Sequence, residues 1–103
     1  MSHSEKSAIL EKNITERARP LMFKVILIND QFTTMEFVMT VLVDIFDHTP
    51  EKAEAIMLTV HHEGRGVCGV YSFEVAQTKQ VWALRAAEKY DFPLAVKIEP
   101  LEE

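Results

Sequence analysis

The fold is decided by Phe23-Lys24-Val25-Ile26-Leu27-Ile28-Asn29-Asp30-Gln31-Phe32-Thr33-Thr34-Met35-Glu36-Phe37-Val38, in which an apolar run leads through polar residues into a helical pattern. Residues 22–28 are rich in Val, Ile and Leu, and only Lys24 interrupts them. Such a run is typical of a strand that is buried on at least one face. Asn29 and Asp30 favour a turn directly after this strand.

Two helices are predicted after this turn from their cap residues. Thr33, with a glutamate three residues later, matches a capping box, and apolar residues recur at helical spacing from there to about Asp47. Thr49 as N-cap with Pro50 at the first helical position predicts a second helix, for which Gly64 is a natural stop. We therefore expect two consecutive helices between the first strand and the next one.

A third helix and two short strands complete the pattern. Ser72 is a suitable N-cap for the helix, and Pro93 prevents the helix from continuing. Its inward side is predicted to carry Val75, Ala76, Trp82, Ala83, Ala86 and Tyr90. Strands are expected over residues 66–71 and 94–98. The order β-α-α-β-α-β predicts an α+β domain with a three-stranded antiparallel sheet and helices packed on one face.

Length and composition indicate one small domain. The chain has 103 residues, of which 48% are hydrophobic, and this suits a single core formed by residues 21–103. Residues 1–20 are mostly polar and charged, so we expect a flexible N-terminal arm. The net charge of −5 argues against nucleic-acid binding, and no run of apolar residues suits a signal peptide or a membrane span. The lone Cys68 fits a reducing compartment, so a cytoplasmic location is expected.

Some residues invite an enzymatic interpretation, which the pattern does not favour. His61, His62 and Cys68 are metal-ligand types, but adjacent histidines point in different directions and no fourth ligand stands at a usual spacing. Cys68 lies in a short apolar strand, where cysteine usually behaves as a small buried hydrophobe. Asp44 and Asp47 are predicted on a solvated helix face. We therefore predict no catalytic residue, no metal and no cofactor.

A binding site is the better interpretation of the polar residues. Asn29 and Asp30 follow the first strand, and His61 ends the second helix, which the predicted fold places beside that turn. An ammonium group donates three hydrogen bonds and accepts none, so amide, carboxylate and neutral imidazole acceptors would satisfy it. An apolar hollow beside them could be lined by Met35, Val38, Met57, Val60 and Leu94. Taken alone, these five residues are typical of an ordinary core.

Many short segments of the chain are shared with one known family. They are Lys24-Val25-Ile26-Leu27, Asn29-Asp30, Thr33, Met35-Glu36-Phe37-Val38, Met57-Leu58, Val60-His61, Cys68-Gly69-Val70, Glu74-Val75-Ala76, Thr78-Lys79 and Pro93-Leu94. From Phe23 to about Ile98 the sequence thereby resembles the ClpS adaptor family. Proteins of that family have no catalytic machinery; they bind the exposed N-terminal residue of a protein, its N-degron, and hand that protein to a AAA+ unfoldase–protease. The resemblance implies an adaptor that is not an enzyme.

The resemblance also implies roles for individual residues. The α-amino group of the N-degron would be held by Asn29, Asp30, Gln31 and His61. The pocket for its side chain would be lined by Thr33, Met35, Val38, Met57, Val60 and Leu94. Met35 is similar to the family's gatekeeper, which rejects Ile and Val but admits Leu, Phe, Tyr and Trp. Glu74 and Lys79 match positions that dock on the N-terminal domain of a ClpA/ClpC-type unfoldase.

The chain departs from the family beside the expected site. Where many members read Asn-Asp-Asp-Tyr-Thr-Pro-Met, this chain reads Asn29-Asp30-Gln31-Phe32-Thr33-Thr34-Met35. Gln31 replaces a second carboxylate and so removes a unit of negative charge near the ammonium group. Thr34 replaces proline and leaves the entrance of the helix less constrained. We therefore expect an N-degron preference that is weakened or narrowed.

Two other functions remain open at this point. The chain could be a non-catalytic regulator that docks on the unfoldase and changes its choice of substrates without binding N-degrons. It could also be an enzyme that uses His61 and Cys68, which is the less favoured interpretation. The expected partners are the unfoldase and N-degron peptides or proteins, with no nucleic acid and no membrane, and a monomer is expected.

Overall fold

The protein is described by a computed structural model over residues 21–102, so the flexible arm predicted for residues 1–20 lies outside the described residues. The elements are β1 Phe23–Ile28, α1 Met35–Asp44, α2 Pro50–Glu63, β2 Arg65–Tyr71, α3 Phe73–Glu88 and β3 Ala95–Pro100. The predicted order β-α-α-β-α-β is confirmed. None of the helices within this part of the chain is long and apolar enough to cross a membrane.

The strand β1 is the centre of the sheet. The strand order is β2-β1-β3, and both neighbours run antiparallel to β1. Val25, Ile26 and Leu27 have no exposed surface, so the most apolar strand takes the position with the most neighbours. Val25 pairs with Gly69 and Ile26 pairs with Val67, which leaves Cys68 as the extra residue of a bulge in β2.

The helices cover one face of this sheet, as predicted. The helix α2 packs against β2 and α1, whereas α3 packs against all three strands. Alternation along β1 sends Val25 and Leu27 into the core beneath the helices. Gly66 allows α2 to approach β2 closely, because a Cβ atom at that position would lie 2.7 Å from Cγ2 of Val60. The end of α2 is therefore held directly against the sheet.

The cap residues agree with the sequence at α2 and α3 and differ at α1. The hydroxyl of Thr49 accepts from the Lys52 N–H at 3.2 Å, and Ser72 caps α3. At α1 the N-cap is Thr34, whose Oγ1 accepts from the Phe37 N–H at 3.1 Å, so the prediction of Thr33 was wrong. Two adjacent threonines have equal local capping ability, and the contacts of the preceding loop decide between them.

The inward side of α3 was predicted only in part. Ala76 and Ala83 are buried, but Val75, Trp82 and Tyr90 have exposed fractions of 43%, 54% and 63%. The helix meets the sheet through alanines, since small side chains allow close packing, whereas Val75 and Trp82 lie on its exposed surface. The hydrophobic pattern does not distinguish these two sides. The prediction was therefore wrong for Val75, Trp82 and Tyr90.

Some element boundaries also differ from their predicted positions. The helix α1 ends at Asp44, before the predicted Asp47, and β3 begins at Ala95. Lys79 of α3 stabilises this end of α1, because its ammonium group donates to the carbonyl of Ile45 at 2.6 Å. Asp47 has a φ of 58°, so the chain has already left the helix there. A cation at the C-terminus of a helix satisfies its unpaired carbonyls and favours its dipole.

The C-cap Gly64 provides a test of the junction between α2 and β2. Its φ is 89°, and an added Cβ atom would meet nothing within 4 Å, so only the backbone conformation opposes substitution. We expect Gly64→Ala to lower the free energy of unfolding by about 1 kcal/mol, as measured by urea denaturation. Gly64→Asn is the control and should cost less, because asparagine tolerates left-handed backbone. Equal stability of Gly64→Ala and the wild type would contradict this account.

Candidate functional site

The end of β1 is joined directly to the end of α2. The N–H of Asn29 donates to the carbonyl of Gly64 at 2.9 Å. Gly64 follows the last turn of α2, which carries His61. This single bond therefore places the polar residues after β1 beside the imidazole of His61, as the sequence predicted.

The loop from residue 29 to residue 34 is organised by the carboxylate of Asp30. Its Oδ1 accepts from the N–H of Phe32 at 2.8 Å and from the N–H of Thr33 at 2.7 Å. Its Oδ2 accepts from the hydroxyl of Thr33 at 2.6 Å. Thr33, which was predicted to cap the helix, thus uses its side chain inside the loop.

These bonds also control the charge of Asp30. Partial burial acts to raise its pKa, but hydrogen bonds from the side chain and backbone of Thr33 and from the backbone of Phe32 outweigh it. The net pKa lies below the ordinary value of 3.8. The carboxylate therefore stays ionised at neutral pH, and the site carries a fixed negative charge.

A cavity of about 390 Å³ opens between this loop, α1 and α2. Its lining consists of Asn29, Asp30, Gln31, Thr33, Met35, Val38, Met57, Val60 and His61. Met35 and Val38 lie one turn apart on α1, while Met57, Val60 and His61 lie on one face of α2. Oxygen and nitrogen acceptors come from the loop and His61, and apolar side chains come from the two helices. The cavity thus has a polar part and an apolar part.

Nine of the ten residues that the sequence assigned to the site line this cavity. The exception is Leu94, which is only 6% exposed and belongs to the hydrophobic core. Val38 and Val60 also belong to this core, so the assignment of Leu94 to the pocket stays a prediction. Within residues 21–102, every residue that lines the cavity belongs to the predicted set. Met35 is the most exposed apolar residue of the lining, at 45%, whereas Val38 and Val60 are buried at 7% and 3%.

The two residues assigned to unfoldase docking have different environments. Glu74 is exposed in the first turn of α3, where it borders a shallow depression with Gln77, Thr78, Val81 and Trp82. Lys79 points into the domain, and only 12% of its side chain is exposed. Besides Ile45, its ammonium group contacts Asp47 at 3.4 Å and lies 5.3 Å from the ring centre of Tyr71. Docking roles for both residues stay predictions.

The groups considered for catalysis are dispersed or buried. Cys68 is 1% exposed, and burial raises the pKa of its thiol to about 12 despite a hydrogen bond from the Leu27 backbone. Its carbonyl contacts Nε2 of His48, a residue that the sequence analysis did not consider. The rings of His61 and His62 are inclined at 69° to each other. Within residues 21–102, no three His, Cys, Asp or Glu side chains are grouped so as to hold a metal ion.

Comparison with known proteins identifies the family. The family model described as "ATP-dependent Clp protease adaptor protein ClpS" matches residues 18–97. The chain belongs to the ClpS family. The resemblance inferred from short sequence segments is thereby confirmed, and the family is one of adaptor proteins.

Relatives of the ClpS family match nearly the whole chain. The ATP-dependent Clp protease adapter protein ClpS of Campylobacter jejuni is 46% identical over 94 residues, which are 91% of this chain and 96% of the relative. The ClpS adapter of Acetivibrio thermocellus is 41% identical over 97 residues, covering 94% and 98% of the two chains. The solved structure of Agrobacterium tumefaciens ClpS2 bound to L-phenylalaninamide superposes with a TM-score of 0.77 at 35% identity. The superposition covers 81% of this chain and 100% of the ClpS2 chain.

Removal of the Thr33 hydroxyl tests the electrostatics of the loop. Because the pKa of Asp30 is lowered in the folded protein, its hydrogen bonds stabilise the fold above pH 3.8, and this stabilisation is lost as the pH falls through the folded-state pKa. We expect Thr33→Val to raise the pKa of Asp30 toward 3.8, as measured by NMR titration of the carboxyl carbon.

Thr59→Val is the matched control for this change. Its hydroxyl donates to the carbonyl of Ala55 at 3.1 Å on the exposed side of α2 and does not contact Asp30. The control should leave the pKa of Asp30 where it is in the wild type. If both variants moved this pKa equally, the loop bond would not be its cause.

Proposed function

We propose that the cavity binds the N-terminal residue of N-degron substrates and that the chain delivers these proteins to a ClpA/ClpC-type AAA+ unfoldase for degradation. One observation carries the proposal: a single cavity joins the acceptors of Asn29, Asp30 and His61 to an apolar wall. A free N-terminal residue has the same two parts, an ammonium group and a side chain. The bulky residues Phe, Tyr, Trp and Leu are the proposed ligands.

The polar part suits a primary ammonium group. An ionised carboxylate has about four acceptor positions, and Asp30 uses three of them within its own loop. The remaining position belongs to Oδ2, which within residues 21–102 accepts only the bond from Thr33. The side-chain oxygen of Asn29 and a neutral imidazole nitrogen of His61 supply further acceptors. Asp30 thus provides both the shape of the loop and a charge for the ligand.

The apolar part suits a large side chain. An aromatic side chain has about 150–250 Å² of surface, and burying it at about 25 cal/mol/Å² contributes roughly 4–6 kcal/mol before ordering costs. Hydrogen bonds to the ammonium group contribute on the order of 1.5–3 kcal/mol each. Together they reach about −8 kcal/mol, which corresponds to a micromolar dissociation constant. An internal Phe lacks the free amine and an N-terminal Lys lacks the ring, so selectivity requires both parts.

The ligand of the structural neighbour supports this division of the site. The ClpS2 of Agrobacterium tumefaciens is bound to L-phenylalaninamide, and its chain is 35% identical to this one. That molecule carries a free α-amino group, a benzyl side chain and an amide in place of the next peptide bond. It therefore has the chemistry of an N-terminal phenylalanine residue, for which we propose the cavity of this chain.

We propose that Met35 selects among first residues. It belongs to the lining of the cavity, yet it is 45% exposed, so it stands where a ligand enters. A β-branched side chain is widest next to its Cα atom, at the level of the mouth. Ile and Val would contact Met35 there, while Leu and the aromatic residues are narrow at that level and pass.

Gln31 distinguishes this site from one with two carboxylates. It is exposed and lines the polar part of the cavity. An amide oxygen still accepts a hydrogen bond, but it adds no charge to attract the ammonium group. We propose that affinity for the amino group is lower here, so that binding depends more strongly on the apolar side chain.

We propose that the exposed α3 surface at Glu74 meets the N-terminal domain of the unfoldase. Glu74 offers an exposed carboxylate beside Trp82, and the two line the same depression. Lys79 supports this surface from within, because its bonds to Ile45 and Asp47 tie α3 to the loop after α1. An interface with an apolar centre and a charged edge has the usual composition of protein-binding surfaces.

Titration with peptides that differ only in their first residue tests the function. We expect labelled peptides that begin with Phe, Tyr, Trp or Leu to bind with micromolar affinity in fluorescence anisotropy, because they fill both parts of the cavity. Peptides that begin with Ile or Val should bind more weakly. N-acetylation of the Phe peptide should abolish binding, since it removes the ammonium group. If the chain docked on the unfoldase but bound none of these peptides, the alternative function of a non-catalytic regulator would be favoured instead.

Restoring the second carboxylate tests the role of Gln31. We expect Gln31→Asp to increase affinity for the Phe peptide about three- to tenfold at low salt, because a charge is added beside the ammonium group. Gln77→Asp is the matched control, since Gln77 is exposed on α3 and borders a different depression. Equal affinities of the wild type and Gln31→Asp for every first residue would remove the proposed effect.

A further inference from the structure

Two large apolar side chains are exposed beside the cavity without lining it. Phe32 is 71% exposed and lies in the loop between Gln31 and Thr33, both of which line the cavity. Leu58 is 42% exposed and follows Met57, another lining residue. Together with the exposed Met35, they provide apolar surface on both sides of the cavity mouth. Exposed apolar surface next to a concave site commonly marks a contact with a ligand.

The position of Phe32 is fixed by the loop. Its N–H donates to Oδ1 of Asp30 at 2.8 Å, and the next residue makes two more bonds to the same carboxylate. The backbone that carries the exposed ring is therefore held by a hydrogen-bonded turn. Ordering a side chain costs entropy when a ligand binds, and a rigid attachment reduces this cost.

Leu58 occupies the matching place on α2. Residues three apart on a helix are neighbours, so Leu58 lies beside His61, which is one of the acceptors for the ammonium group. It also lies on the solvent side of Met57, which is half-buried in the apolar part. Leu58 is thus next to both parts of the cavity, at the point where a bound residue meets solvent.

A peptide bound by its first residue must pass this mouth. Its α-amino group and side chain occupy the two parts of the cavity, so its carbonyl leads outward to the second residue. One residue of extended chain spans about 3.3–3.6 Å, which keeps the second side chain within reach of residues adjacent to the lining. Continuity with the cavity therefore identifies the occupant of this surface as the substrate itself.

We propose that Phe32, Met35 and Leu58 form an apolar rim that contacts the second residue of the substrate and favours a bulky apolar side chain there. This inference rests on the proposed function and extends it from one residue of the substrate to two. Covering about 40 Å² of apolar surface at about 25 cal/mol/Å² corresponds to about fivefold in affinity. The rim would then rank substrates that share the same first residue.

The test uses two peptides that differ only in their second residue: one begins Phe-Leu and the other begins Phe-Gly. The affinity of each is measured by its competition with a labelled Phe peptide. L-phenylalaninamide has no second residue and reports on the first-residue pocket by itself. We expect the wild type to prefer Phe-Leu about fivefold. In Phe32→Ala and in Leu58→Ala this preference should fall below about twofold, because the affinity for the Phe-Leu peptide decreases.

The matched control is Leu84→Ala, which removes a leucine of similar exposure, 37%, from α3. It should keep the full preference for Phe-Leu. Equal affinity of the wild type for both peptides, with L-phenylalaninamide bound, would overturn the rim and leave the pocket in place. A preference that survives both Phe32→Ala and Leu58→Ala would also overturn it. No binding of any of the three ligands would overturn the proposed function and the rim together.

Discussion

The hydrogen bond from the Asn29 N–H to the Gly64 carbonyl is the constraint on which the candidate site depends. It joins the end of the central strand to the end of α2, two places that are far apart in the sequence. One side of this junction supplies the acidic loop and the other supplies His61 and the apolar face of α2. Gly64 has a left-handed conformation and ends α2, so the helix stops beside the end of the strand. The two parts of the cavity are therefore set by one backbone contact.

The carboxylate of Asp30 has a structural and an electrostatic role. Three donors from Phe32 and Thr33 hold it, and the same bonds keep it ionised. A charge fixed by the backbone is well suited to a small cation, because little reorganisation is needed when the cation arrives. The apolar side chains of the two helices supply contact area, but their contacts are not directional as hydrogen bonds are. The proposed recognition thus combines a rigid polar loop with an adaptable wall that contains two methionines, Met35 and Met57.

Much of the fold could be predicted because its signals are local. Thr49, Gly64 and Ser72 are used as their sequence neighbours indicate, since capping depends on a few adjacent residues. Where two neighbours were equally suited, as with Thr33 and Thr34, only the loop contacts could decide. The buried side of α3 depends on tertiary packing, which periodicity does not report. The residue types alone were compatible with an apolar pocket, and the family resemblance indicated which residues line it.

Gly66 has a consequence for how this site can change over evolution. It touches Val60 from behind the cavity wall, in the space where any other residue would place a Cβ atom. A larger residue in β2 would displace Val60 toward the cavity and reduce its depth, although the substituted position itself never meets the ligand. Substrate range can therefore drift through a sheet position that a survey of ligand contacts would overlook.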